Sequence, residues 1–205
     1  MLPLILSLAL ATFSGFWVLK LIPDKKILFF HLIFTFISPW FLILFFGQFP
    51  FNMASEKILK CNQITQGRAC FLSTEFLFFL GDPRENLHIE DQGFFLLSTL
   101  PLIMSGLYIS ISKNETKYKL TILALIIGLV ISFFVEKNPN LASGLWFLPI
   151  LGIFGTLGVY RWFNYLFNKK NLQIIKLLIV LNLIWISYEA LRLYLVLMLH
   201  KPFSI

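Results

Sequence analysis

Apolar and polar positions in this chain do not alternate; they come in long blocks. Residues 2–22 are almost unbroken hydrocarbon, ended by Pro23 and followed by Lys25 and Lys26. Residues 27–47, "ILFFHLIFTFISPWFLILFFG", form a second block with Pro39 inside it, where the missing N–H predicts a kink. A polar segment, 48–92, follows. Further apolar blocks cover 93–112, 120–135, 144–167 and 172–199, separated by "KNETKYK" (113–119), "EKNPNLAS" (136–143) and the turn Asn168–Lys169–Lys170–Asn171. Crossing about 30 Å of hydrocarbon takes roughly 20 apolar helical residues, so about six blocks are read as membrane spans. The predicted fold class is all-α: a polytopic transmembrane helix bundle, residues 1–205 as one domain. Residues 48–92 are its partly helical extracytoplasmic loop, with a short interfacial helix. No internal repeat or linker divides the chain.

Composition strengthens this picture. Of 205 residues, 58% are hydrophobic and 13% charged, with a mean hydropathy of +0.82. Soluble domains carry about 25% charged residues. The net charge of +7 does not point to nucleic acid, because the cations sit in short turns rather than along a stripe. Lys25 and Lys26, then Lys113, Lys117 and Lys119, then Arg161, Lys169 and Lys170 fall in alternate turns. The positive-inside rule makes those turns cytoplasmic and places both termini and the long loop outside. The N-terminal block lacks a basic start and a small-residue cleavage site, so it reads as a retained helix rather than a cleaved signal. Cys61 and Cys70 lie in the long loop, where they pair in an oxidising compartment or stand as two free thiols.

The long loop holds most of the acidic residues: Glu56, Glu75, Asp82, Glu85, Glu90 and Asp91, with Lys57, Lys60, Arg68, Arg84 and His88 among them. Residues 71–80 are apolar but too short to span, which suits a re-entrant or interface-lying helix carrying Phe71, Phe76, Phe78 and Phe79. Gly81-Asp82-Pro83 would end it. Asp82, Arg84 and His88 then collect at the membrane surface: a carboxylate for proton transfer or cation binding, a forked donor for phosphate, a proton shuttle. The plain alternative is a solvated loop with ordinary surface charges.

"FLSTEFLFFLGDPRENLH" followed by "GFFLLSTLPLIMSGLY" resembles a stretch of bacterial GT-C type membrane glycosyltransferases, relatives of dolichyl-phosphate mannosyltransferases and of lipid A aminoarabinose transferase. The matching elements are Ser73–Phe78, Gly81-Asp82-Pro83, Leu100-Pro101 and Gly106-Leu107-Tyr108. Upstream, "QGRAC" (66–70) resembles that branch's Arg-Gly-Ala-Cys element in part. Downstream, Glu136 and Pro139 stand where that branch has a Glu-x-Pro-His link, with Asn140 at the His position. The resemblance covers about residues 60–160. It implies sugar transfer from a polyprenyl-phosphate donor to an extracytoplasmic acceptor. Asp82 or Glu75 would be the catalytic carboxylate, and Arg68, Arg84, His88 and Glu136 would contact substrate. Such enzymes usually have about twice as many spans and carry their catalytic acid in a first outward loop. Here nothing acidic precedes Glu56 except Asp24, on the predicted cytoplasmic side. The chain therefore resembles a C-terminal half, reduced or completed by a partner chain that supplies the N-terminal half.

Elsewhere, Glu189 and Arg192 share a face of the last block with Asn182, either lining the bundle or anchoring its edge. His31 is expected to be an interhelical hydrogen-bond partner, and Gly152, Gly155 and Gly158 a packing stripe. No Gly-rich phosphate loop, HExxH, nucleophile elbow or Cys/His quartet is present, so no cofactor or metal is assigned. Three functions remain: the glycosyltransferase or a split form of one, a non-catalytic membrane protein binding a lipid or partner, and a small transporter. The last has thin support, since His31, Asn182, Glu189 and Arg192 are the only polar candidates along the spans.

Overall fold

A computed structural model of the chain describes residues 2–46, 77–78, 93–135, 144–168 and 173–200. Every regular element among them is helical: α1 (Leu2–Leu21), α2 (Lys25–Ile37), α3 (Pro39–Phe46), a 3-10 turn (Leu97–Thr99) that leads into α4 (Leu100–Ser112), α5 (Thr116–Val135), α6 (Leu148–Phe167) and α7 (Gln173–His200). Two stretches, Thr116–Phe134 in α5 and Gln173–Leu195 in α7, are long and apolar enough to cross a membrane by length and composition.

The chain breaks where local chemistry demands it. Pro23 cannot extend α1, and Asp24 then caps α2: its backbone is extended, and its Oδ1 accepts from the Lys26 N–H at 2.9 Å. The second apolar block is two helices rather than one kinked helix. Pro39 has no N–H and its ring disfavours helical geometry at the preceding residue. Ser38 accordingly turns extended (φ −80°, ψ 121°) while its hydroxyl donates to the Phe34 carbonyl at 2.7 Å. The third block is helical only from the 3-10 turn onward. Pro101 sits in the first turn of α4, where a missing N–H costs nothing.

Burying apolar surface does little to pair helices in lipid; close packing of small residues does more. The tightest pair here is α4 with α6. A Cβ on Gly106 would overlap the Phe154 carbonyl, and one on Gly158 would overlap the Leu102 carbonyl, so the two backbones touch. The outer end of the Phe34 ring in α2 lies against Gly155, where a Cβ would overlap it. Around these contacts lie Phe34, Phe94, Phe95, Phe147, Leu148, Phe154 and Leu157, all essentially inaccessible. Small polar residues enter this interior by turning their hydroxyls onto their own helix. Ser14 donates to Leu10 O, Ser110 to Gly106 O, Ser132 to Gly128 O and Thr156 to Gly152 O, at 2.7, 3.0, 2.8 and 2.9 Å.

The bundle has two chemically different ends. At the basic end, Tyr160 Oη donates to Asp24 Oδ2 (3.0 Å), Tyr118 Oη to Leu21 O (3.4 Å), and the Arg161 guanidinium stacks over Tyr108 (5.3 Å). Lys25, Lys26, Lys113 and Lys117 gather there. At the opposite end, called the loop end below, α2 finishes and the Gly93–Thr99 segment and α6 begin.

Candidate functional site

The loop end is built from Leu77 and Phe78, inside the long polar segment, and from the residues that follow that segment at Gly93. Phe95 N–H donates to Leu77 O at 2.9 Å, and Phe78 is only 5% exposed. A Cβ at Gly93 would strike the Leu77–Phe78 backbone, so only glycine permits the approach. Trp40 N–H donates to Phe94 O at 3.2 Å, joining this segment to the start of α3, and the Phe34 and Phe95 rings meet at 6.3 Å. Residues 77–78 and 93–95, fifteen positions apart in sequence, are thus pinned together and seated on α2 and α3.

The next turn carries the polar group of interest. Ser98 is fully buried, and both its N–H (3.0 Å) and its hydroxyl (2.6 Å) donate to Glu189 Oε2 on α7. The carboxylate thereby caps the 3-10 turn that opens α4, where backbone N–H groups lack helical partners and anions are favoured. Its other oxygen, Oε1, has no hydrogen-bond partner among the described residues, and no ion pair among them involves Glu189. One turn further along α7, Tyr194 Oη donates to Phe36 O at 3.1 Å, fastening this part of the helix to the end of α2. The indole Nε1 of Trp40 is buried, with no hydrogen-bond partner among the described residues. A held carboxylate and an indole donor without a partner among the described residues therefore lie at this end.

A second polar cluster sits in the middle of the bundle. His31 is 1% exposed; its Nδ1 lies 3.0 Å from Thr156 Oγ1 on α6, and its Nε2 2.9 Å from Ser14 Oγ on α1 and 3.5 Å from Thr35 Oγ1. Three helices meet through one imidazole, which is the interhelical role expected of it. Asn182 differs: its Oδ1 is buried and unpartnered among the described residues. At the basic end, Asp24 is held below the ordinary carboxylate range, first by the Lys26 backbone N–H, then by the Tyr160 hydroxyl and the Lys26 charge, with partial burial opposing them.

The residues that the sequence nominates for catalysis, Asp82 and Glu75, and those nominated for substrate contact, Arg68, Arg84, His88 and Glu136, lie outside the described residues, as do Cys61 and Cys70. The structure describes residues 77–78 and 93–95, which flank Asp82, Arg84 and His88 in sequence but not Arg68, Glu75 or Glu136. Of the glycine stripe in α6, Gly155 and Gly158 are packed to contact, while Gly152 is buried but a Cβ there would meet nothing within 4 Å among the described residues. Glu189 was legible as an ionisable residue in an apolar helix. Its partner Ser98 carries only the weaker signal of a Ser-Thr pair before Leu-Pro, a helix-start pattern. Among the described residues no group of three or more His, Cys, Asp or Glu is placed to hold a metal ion. No known family model, curated protein or solved structure matches the chain.

Proposed function

We propose that this chain is a multi-pass membrane protein of the GT-C glycosyltransferase type, whole or as one half of a split enzyme. In this reading it transfers a sugar from a polyprenyl-phosphate donor to an acceptor outside the cytoplasm. A carboxylate takes the acceptor's hydroxyl proton, and cationic groups steady the departing lipid phosphate. Asp82 and Glu75 are the loop carboxylates offered for this, with Arg68, Arg84, His88 and Glu136 around the phosphate and sugar.

One observation supports the reading: residues 77–78 and 93–95, on either side of the segment that carries Asp82, Arg84 and His88, are docked together on the helices. The Phe95–Leu77 hydrogen bond, the buried Phe78 and the close approach at Gly93 bring residues 77–78 and 93–95 together on the helices. An active-site loop that must meet a lipid phosphate at the membrane boundary needs such a seat. The membrane setting is supported by the apolar character of α5 and α7 and by the large side chains the bundle turns outward. Phe13, Phe16, Phe134 and Ile174 are each about two-thirds or more exposed, on three different helices, a surface that water would not tolerate but acyl chains would.

The test is transfer from radiolabelled polyprenyl-phosphate mannose in membranes containing the wild-type chain, the Asp82→Asn variant or neither. Transfer above the empty membranes, reduced about 100-fold or more in Asp82→Asn, is expected for loss of a general base. No transfer above the empty membranes, with or without a co-expressed partner, favours the non-catalytic lipid-binding alternative. Undiminished transfer by Asp82→Asn removes that residue from the scheme.

A further inference from the structure

We infer that the basic end of the bundle carries a seat for one anionic phospholipid, with its phosphate on Arg161 of α6 and an acyl chain along Tyr108 and Met104 of α4. This rests on the membrane setting, not on sugar transfer or the polar loop. Three features point there. The first is charge. Two acidic residues lie at this end among the described residues, and both are occupied. Asp24 accepts from the Lys26 N–H and the Tyr160 hydroxyl, and Glu115 lies 3.8 and 3.1 Å from Lys113 and Lys117. Arg161 is exposed and has no carboxylate partner among the described residues; its guanidinium lies instead over the Tyr108 ring, 5.3 Å from the centroid.

The second feature is chemistry. A ring attracts a guanidinium through its π face and leaves the N–H donors free for paired hydrogen bonds with two phosphate oxygens. Asn164, one turn nearer the end of α6 on the same face, is also exposed and adds an amide donor. The other described cation–ring pairs use Lys20, Lys113 and Lys117, whose ammonium groups offer no fork. The third is depth. Tyr108 lies about 6 Å before the end of α4 and Arg161 about 9 Å before the end of α6, at 1.5 Å per residue. The headgroup layer on each side of the hydrocarbon is roughly 5–8 Å deep, so the guanidinium meets the membrane where phosphates lie. Deeper along the same face of α4, Tyr108 and Met104 are each more than half exposed, a strip for an acyl chain. A phosphatidylglycerol headgroup fits this seat. A choline headgroup brings its own positive charge, which the neighbouring lysines repel.

The experiment titrates the detergent-purified full chain with dioleoylphosphatidylglycerol or dioleoylphosphatidylcholine and follows bound lipid by native mass spectrometry. One phosphatidylglycerol should bind about tenfold or more tighter than phosphatidylcholine, and Arg161→Gln should abolish that preference. Lys119→Gln removes the same charge from a neighbouring turn and should leave the preference intact. Tyr108→Leu keeps the charge but frees the guanidinium from its ring, so it should weaken binding several-fold. Equal affinity for the two lipids overturns the inference. So does equal loss from Arg161→Gln and Lys119→Gln, which would show a diffuse field rather than a seat. Excess inorganic phosphate should not displace the lipid; displacement would assign the site to a soluble anion and also overturn it. Unfolding temperatures in lipid-free detergent check that each variant folds. Should Arg161→Gln not fold, wild-type preference in Tyr108→Leu overturns the inference by itself. Sugar transfer plays no part in the readout, so a chain without transferase activity that still selects phosphatidylglycerol through Arg161 sinks the transferase reading alone.

Discussion

At the residue scale, the clearest case is His31. Its ring is placed between Thr156 and Ser14, whose own hydroxyls also lie within donating distance of the Gly152 and Leu10 carbonyls. Each contact is worth little alone, because an unfolded helix in lipid also finds partners; interhelical side-chain bonds average about 0.6 kcal/mol. Thr156→Val should therefore cost on the order of 0.6 kcal/mol. His31→Ala should cost about 2–4 kcal/mol, since it adds a cavity between three helices to the lost bonds. Unfolding in detergent measures both, and equal losses would show that the imidazole's volume contributes nothing. A lone histidine in an apolar run was legible in the sequence as a bridge. Its partners were not, because Ser14 and Thr156 lie 17 and 125 residues away and nothing local marks them.

Elements show where reading by hydrophobic blocks reaches its limit. The apolar blocks coincide with helical segments, two of which, Thr116–Phe134 and Gln173–Leu195, are long and apolar enough to cross a membrane. They did not reveal breaks inside a block, where apolarity is constant and only backbone chemistry changes. Pro39 was expected to bend a single helix and instead separates α2 from α3, because Ser38 is forced out of helical geometry and its hydroxyl takes up the Phe34 carbonyl. Gly93–Leu96 is equally apolar and is not helical, because there the chain doubles back onto Leu77. The glycines of α6 make the same point. Their spacing suggests a packing stripe, and two of the three, Gly155 and Gly158, are constrained by a neighbour while Gly152 is not. Gly158→Ala should push α4 from α6 and cost at least the 1–3 kcal/mol usual for overpacking. Gly152→Ala meets nothing within 4 Å and should stabilise by about 0.5–1 kcal/mol through reduced backbone freedom. Opposite signs in a thermal unfolding pair are the expected result. A destabilised Gly152→Ala would mean that a neighbour outside the described residues lies against it.

For the whole molecule, the division into two ends is the property on which function depends. The sequence displayed it as charge bookkeeping: cations in alternate turns, carboxylates in one long loop. The structure gives that bookkeeping a shape. Tyr160 with Asp24, Tyr118 with Leu21 and Arg161 with Tyr108 draw the turns after α1 and α4 and the C-terminal half of α6 together at one end. Ser98 with Glu189, Tyr194 with Phe36 and Trp40 with Phe94 close the other. The chemistry of the loop was legible as residue types and order, while its attachment was not, because backbone contacts such as Phe95 with Leu77 leave no compositional trace. If the positive-inside rule governs this chain, the two ends lie on opposite faces of the membrane. With both native cysteines changed to serine, Asn114→Cys in the turn before α5 should react with a membrane-impermeant maleimide only after the cells are permeabilised. Gln63→Cys in the loop should react in intact cells. Labelling of both from outside would remove the second face altogether. The reverse pattern would put the carboxylates in the cytosol, beside soluble nucleotide-activated donors, and a polyprenyl-phosphate donor presented outside could not reach them.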